Sequence, residues 1–193
     1  MPINSSFLDI GSHFGDTITT MALHAKNNNR DDIRFYAFEP NSNKVLHIKN
    51  ISKLNNLNIT VFNCCVGKNS GKSSHDNNIN PIFGSSSYRV DNNGVCDIIC
   101  LNDICESINP VGIMHIDTEG WEADVIRGSS KLLNNKNNAN LHIIAECWSN
   151  EVSIMRGFSN NPENDIINEI KKYNYKQLDD IHDKDRNLVF RIN

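Results

Sequence analysis

Phe7-Leu8-Asp9-Ile10-Gly11-Ser12-His13-Phe14-Gly15-Asp16-Thr17 decides the fold. Apolar residues enclose an acid, Gly11 and Gly15 bracket three residues, and Thr17-Ile18-Thr19-Thr20-Met21-Ala22-Leu23 follows. That order predicts a buried strand, a tight turn and the start of a helix. Gly11 can adopt positive φ, and Gly15 lets a ligand or the sheet come close to the backbone. The first amides of the new helix lack intrahelical partners and face whatever occupies the turn. At the carboxyl edge of a parallel sheet, such a turn is a nucleotide-type cofactor site.

The spacing of the turn narrows the cofactor. A dinucleotide fingerprint reads G-x-G-x-x-G, and its second glycine makes room for a pyrophosphate. Here His13 stands at that position, and Asp9 precedes the first glycine. A carboxylate there repels phosphate and suits a cationic ligand, such as a sulfonium that carries an amino group. A nicotinamide cofactor is disfavoured on the same ground.

Outward from the turn, strands and helices alternate. Thr17 to about Asn28 reads as a helix, and Ile33–Phe38 as a second strand ending on Glu39-Pro40-Asn41. Pro40 keeps Glu39 out of the helical region, so the acid is held extended at the strand end. Asn41 or Ser42 caps a helix to about Leu54, and Ile59–Val66 is a third strand. Val95–Leu101 reads as a short strand before a short helix to Ile108, and Val111–Asp117 as the fourth core strand. A helix from about Glu122 to Leu133, a strand over Leu141–Trp148 and a helix over Pro162–Tyr173 follow. Tyr175–Leu178 and Asn187–Ile192 form a closing antiparallel pair around the polar turn Asp179–Asp185. The alternation predicts right-handed βαβ units in a doubly wound α/β sheet, built as one domain over residues 1–193.

The irregular stretch 67–95 contains Gly67-Lys68-Asn69-Ser70-Gly71-Lys72-Ser73. A phosphate-binding loop needs four residues between its glycines and a helix afterwards; three stand here, before a loop-like run, so this is a turn. Ser85-Ser86-Ser87-Tyr88 lies in the same excursion, as a surface loop or as a flap over the site.

Net charge is −4, which carries no nucleic-acid or membrane footprint. No apolar run reaches the roughly 18–20 residues of a membrane span, and no signal peptide precedes Phe7. The six cysteines, at 64, 65, 96, 100, 105 and 147, lack paired C-x-x-C geometry. They read as reduced thiols of a cytoplasmic protein.

Four strands thus end in polar residues where ligands bind in such sheets: Asp9, Glu39, Asn63/Cys65 and Asp117. A carboxylate at Glu39 offers about four lone-pair sites, enough for both ribose hydroxyls. With Phe38-Glu39-Pro40-Asn41, Cys65-Val66-Gly67 and Ile116-Asp117-Thr118-Glu119-Gly120-Trp121-Glu122 beside the glycine turn, the chain resembles class I S-adenosylmethionine-dependent methyltransferases of the FkbM type. Arg127-Gly128 and Asn187-Leu188-Val189-Phe190 extend the likeness over essentially the whole chain. The resemblance implies a mostly parallel seven-stranded sheet whose last strand is antiparallel. It implies S-adenosylmethionine held by Asp9, Gly11, Ser12, His13, Gly15, Glu39, Asn41, Cys65, Val66 and Asp117. It also implies methyl transfer to a hydroxyl of a sugar, glycan or other small natural product. Two departures stand out. His115 occupies a position where the family more often has Lys, and the chain begins too near its first strand for the N-terminal helix that often covers the substrate. A second copy of the chain could supply that cover, or the chain could bind the cofactor without turnover.

O-methylation needs removal of a hydroxyl proton while the oxygen attacks the methyl carbon in line. Asp117 is the first choice for the base. His13 is open between base and turn residue, and Glu119 between catalysis and capping the helix near Trp121. His115 reads as a core histidine. Asp117, Glu119 and Glu146 could converge on Mg²⁺, because hard cations take oxygen ligands; helix-start roles explain the same acids. Trp121 and Trp148 are open between a sugar-site wall and core.

Overall fold

The computed structural model describes residues 1–75, 88–178 and 187–192. β1 (Ser6–Ile10) is buried throughout and pairs in parallel with β2 (Arg34–Phe38) on one side and β8 (Val111–Ile116) on the other. β3 (Ile59–Phe62) extends the sheet beyond β2, and β9 (His142–Glu146) extends it beyond β8, both in parallel. β10 (Tyr175–Gln177) and β11 (Asn187–Ile192) close it in the order β10-β11-β9-β8-β1-β2-β3, with β11 antiparallel to both neighbours. This is the expected seven-stranded, mostly parallel α/β sheet with a final antiparallel strand.

Side chains alternate across the sheet, and the two faces collect different helices. Phe7, Phe35 and Ala37 pack with Ile18 and Ala22 of α1 (Asp16–Asn27) and Ile48 of α2 (Ser42–Leu54). Leu8, Ile10 and Phe38 turn the other way, into the larger cluster with Leu101 and Ile108 of α3 (Leu101–Ile108). That cluster also takes Ile126 of α4 (Glu122–Arg127), Leu132 of α5 (Ser130–Leu133), and Ile166 and Ile170 of α7 (Pro162–Ile170). At roughly 25 cal/mol per Å² of apolar surface removed from water, these two clusters supply the main favourable term in folding.

Three expectations change. The third strand is two: β3 stays in the main sheet, while β4 (Cys64–Val66) leaves it and pairs with β7 (Cys96–Ile99). Asn63 marks the break, because its Nδ2 donates to the carbonyls of Glu39 and Pro40 and draws the chain out of register. The excursion after Gly67 contributes β5 (Gly71–His75) and β6 (Tyr88–Val90), giving a second sheet β4-β7-β5-β6. The helix expected over Glu122–Leu133 is interrupted at Gly128, where a Cβ would stand 2.2 Å from the Gly67 carbonyl oxygen. Only glycine lets those backbones pass. A further helix, α6 (Asn150–Met155), carries no strong sequence period and is capped by Ser149, whose hydroxyl accepts from Val152 N–H. The Asp179–Asp185 turn and Ser85–Ser87 of the expected flap lie outside the described residues.

Candidate active site

A cleft of about 330 Å³ opens at the carboxyl ends of β1, β2 and β8. β1 sits between β2 and β8, so the strand order reverses beside it; ligands bind in doubly wound sheets at such a reversal. Asp9, Gly11, Ser12, His13, Glu39, Cys65, Val66, Asp117 and Glu119 all line the cleft. The sheet thus gathers residues separated by more than a hundred positions.

The turn after β1 is built for close approach. Gly11 has φ +88°, and a Cβ there would stand 1.7 Å from the Asp117 carbonyl oxygen. The turn after β1 and the end of β8 therefore touch backbone to backbone. Ser12 closes the turn by donating its hydroxyl to the Asp9 carbonyl at 2.7 Å. His13 takes positive φ, and its N–H donates to Glu39 Oε2 at 2.9 Å. Gly15 does not line the cleft; it starts α1 at φ +82° and leaves room for Ile48, whose side chain would meet a Cβ at 2.8 Å.

Glu39 is buried at the head of the cleft, and each of its oxygens accepts one backbone N–H: Oε2 from His13 and Oε1 from Asn41. Burial pushes its carboxyl above the ordinary value, against the Asn41 N–H, the Lys44 charge and the His13 N–H; nearby Asp9 adds to the rise. Asn41 also stays out of the lining. Its side chain caps α2, accepting from Asn43 and Lys44 N–H.

Asp9 is 1% exposed, and Oδ1 lies 2.7 Å from His115 Nδ1. His115 is therefore not a core histidine: register pairing places it opposite Asp9 and at the cleft floor. Desolvation pulls its imidazole down, but the Asp9 hydrogen bond and charge, helped by Asp117 and Asp16, outweigh this and leave its pKa raised. Oδ2 of Asp9 is buried with no hydrogen-bond partner among the described residues.

Of the two readings of Glu119, the structure does not show the capping one, because α4 has no side-chain cap hydrogen bond. Glu122 reaches back from the first turn of α4, and its Oε1 accepts from Thr118 N–H, Thr118 Oγ1–H and Gly120 N–H at 2.9–3.1 Å. Burial pushes its carboxyl up to about 7, against those N–H groups. Glu119 instead takes φ 57° and pairs with Arg156 at 2.9 Å, beside the Trp148 ring, over which Arg156 lies at 4.5 Å. Burial also raises Glu146, with the Asp117 charge and a hydrogen bond to Asp117 adding to the rise. Of the two readings of Asp117, Glu119 and Glu146, convergence on Mg²⁺ is not seen: among the described residues no group of three or more His, Cys, Asp or Glu could hold a metal ion. Glu119 is drawn off to Arg156. Trp121 lines the cleft, whereas Trp148 packs edge-on against Phe158 at 5.7 Å. Among the described residues, no helix is long and apolar enough to cross a membrane.

A search of curated proteins gives no match. Among solved structures, fibrillarin of Aeropyrum pernix, in complex with natively bound S-adenosyl-L-methionine, superposes with a TM-score of 0.56 at 12% identity, over 98% of this chain and 67% of that one. A precorrin-6y C5,15-methyltransferase of Geobacter metallireducens superposes with a TM-score of 0.51 at 9% identity, over 98% and 78%. At such identities the likeness establishes the fold: that of Rossmann-like, class I S-adenosylmethionine-dependent methyltransferases. Residues 9–191 match the methyltransferase FkbM domain, and the chain belongs to that family.

Proposed function

We propose that this chain transfers a methyl group from S-adenosylmethionine to a hydroxyl of a sugar or other small natural product. The observation that carries the reading is the pair of buried carboxylates in the cleft. Glu39, with one N–H on each oxygen, keeps further lone pairs for the two ribose hydroxyls. Asp9 Oδ2, buried without a donor, fits a cationic amino group, because an unsatisfied buried acceptor is costly. Ser12 and the Gly11 backbone would border the methionine portion, and Cys65 and Val66 the adenine.

When bound, the cofactor supplies a methyl group already activated on a sulfonium. The chain then has to orient the acceptor, exclude water and take one proton. Asp117, lining the cleft beside the Gly11 turn, accepts the proton of the attacking hydroxyl. His115 and Asp9 hold the floor in a fixed arrangement beneath it. Trp121 shields the cleft beside Glu119.

The lining also bears on the acceptor. Among the described residues it contains five carboxylates (Asp9, Asp16, Glu39, Asp117 and Glu119) against Lys44 and His115, a field that repels phosphates and suits a neutral polyol. This favours a sugar over a nucleic acid.

A thermal-shift comparison of S-adenosylhomocysteine with NAD tests the cofactor. At about 100-fold over Kd, the bound ligand adds roughly 2.7 kcal/mol. For a chain of this size that corresponds to roughly 5–11 °C. A shift with NAD alone overturns the reading. Transfer of labelled methyl to mono- and oligosaccharides, with RNA as competitor acceptor, then tests the substrate; transfer to RNA alone removes the sugar assignment. Asp117→Asn should lower turnover roughly 100-fold or more while S-adenosylhomocysteine still binds, and full turnover would exclude Asp117 as the base.

A further inference from the structure

The floor of the cleft holds a side-chain pair with one atom left over on each partner. Asp9 on β1 and His115 on β8 are register partners on neighbouring parallel strands. They meet at 2.7 Å, between Asp9 Oδ1 and His115 Nδ1. An ionised carboxylate only accepts, so Nδ1 carries the hydrogen of that contact. Asp9 Oδ2 is then buried with no hydrogen-bond partner among the described residues. His115 Nε2 likewise makes no hydrogen bond among the described residues, and the His115 side chain lines the cleft with 18% of its surface open.

We infer that His115 binds the amino-acid end of the cofactor, Nε2–H donating to its carboxylate while Asp9 Oδ2 accepts from its ammonium group. One pair of side chains thus sets a cationic donor next to a carboxylate acceptor, the complement of an α-amino-acid zwitterion. The tautomer fixes the donor. With Nδ1–H committed to Asp9, Nε2 donates only from the imidazolium; in the neutral ring it is an acceptor. The charged groups that bear on the ring are Asp9 from β1, Asp16 from the first turn of α1 and Asp117 just past its own strand, while β9 sets Ile144 beside it. These acids favour the imidazolium against its burial. Among carboxylates, a ligand's own carboxylate needs such a cation between. Lys44 serves elsewhere: it stands in the first turn of α2, the helix after Glu39, with Nζ 5.6 Å from the centre of the Phe14 ring.

The contact ties binding to a proton. A ligand carboxylate at Nε2 favours the charged ring, so the imidazole pKa rises on binding. By linkage, affinity is full below the pKa of the free ring, which lies above the ordinary imidazole value, and falls as pH rises through it. A ring that only props Asp9 gains nothing from the ligand's carboxylate. The inference rests on the function proposed above, because it needs the cofactor's amino-acid end beside Asp9.

The test compares S-adenosylhomocysteine with its decarboxylated analogue, which keeps the amino group, by calorimetry on the full chain at about pH 6. The wild type should bind S-adenosylhomocysteine roughly 10- to 150-fold more tightly than the analogue, the range for a hydrogen bond to a charged group. His115→Gln should bind the two alike, with the analogue's affinity unchanged from the wild type. The wild-type preference should shrink as pH rises, and imidazole titration by NMR should give His115 a higher pKa with S-adenosylhomocysteine bound than with the analogue. Equal wild-type affinities, or an imidazole pKa that ignores the ligand's carboxylate, overturn the proposal without recourse to a variant. A His115→Gln chain that folds and still prefers S-adenosylhomocysteine overturns it too. If both ligands bind the wild type equally, the cofactor assignment stands and the role of His115 falls; if neither binds, both fall.

Discussion

The chain turns twice at the cleft, at Gly11–Gly15 and at Thr118–Trp121, and both turns are held by a glutamate that accepts backbone N–H groups. Both also contain non-glycine residues at positive φ, His13 at 51° and Glu119 at 57°. The glutamates differ in what they leave over. Glu122 gathers its three donors on one oxygen, away from the lining. Glu39 comes from a different strand, spreads one N–H over each oxygen and faces the cleft. The same device is spent on architecture in one turn and offered to a ligand in the other. A buried carboxylate signals a binding site when its acceptor capacity exceeds its internal donors, and burial alone does not show that.

The harshest way to break the comparison is to separate the turns. Gly11→Ala puts a Cβ into the Asp117 carbonyl at a positive φ, so both turns must move. A loss of roughly 3–5 kcal/mol is expected from strain and overpacking together, read as a melting temperature about 6–20 °C lower. A change within experimental error would show that the two turns do not depend on each other.

Glu122→Ala should cost about 2–4 kcal/mol, because buried N–H donors lose their acceptor. Glu122→Gln keeps an acceptor oxygen and should cost about 1 kcal/mol or less. The pH profile sharpens this. The carboxyl titrates at about 7 in the fold against 4.5 for the ordinary group, so the folded state binds more protons between those values. Stability from this group is therefore full below about 4.5 and declines as pH rises to about 7. The difference amounts to about 3 kcal/mol. Denaturant melts at pH 5 and pH 7.5 should show that decline in the wild type and a smaller one in Glu122→Gln, where raised Glu39, Glu146 and His115 remain. Equal declines would relocate the titration to those three.

Glu39→Ala should act on binding more than on the fold: about 1–3 kcal/mol, a roughly 5- to 150-fold weaker affinity for S-adenosylhomocysteine by calorimetry. Unchanged affinity would make Glu39 a turn residue like Glu122. Smallest is Asn41→Ala, which removes the α2 cap and should cost about 1 kcal/mol of stability by thermal melting.

Much of this was legible locally. β1, the glycine turn, and the acids closing β1 and β2 follow from apolar runs, positive-φ residues and Pro40, all short-range signals. Asn63 looked like a strand interior because β propensity cannot register a hydrogen bond to another strand's end. The break at Gly128 depended on which backbone would cross it, that of Gly67, just past β4, a strand that short-range signals place in the main sheet.

The sequence by itself determined the elements, the turn chemistry and the family likeness, because propensity, capping and periodicity act over a few residues. Only the tertiary structure decided what the acids and histidines do. It set Asp9 against His115 across 106 positions, gave Arg156 of the segment after α6 to Glu119, and gave the N–H groups of the turn before α4 to Glu122. The physical reason is that strand order and register, fixed by burial over the whole sheet, choose a polar group's partner, and the partner determines whether that group supports the fold or faces a ligand.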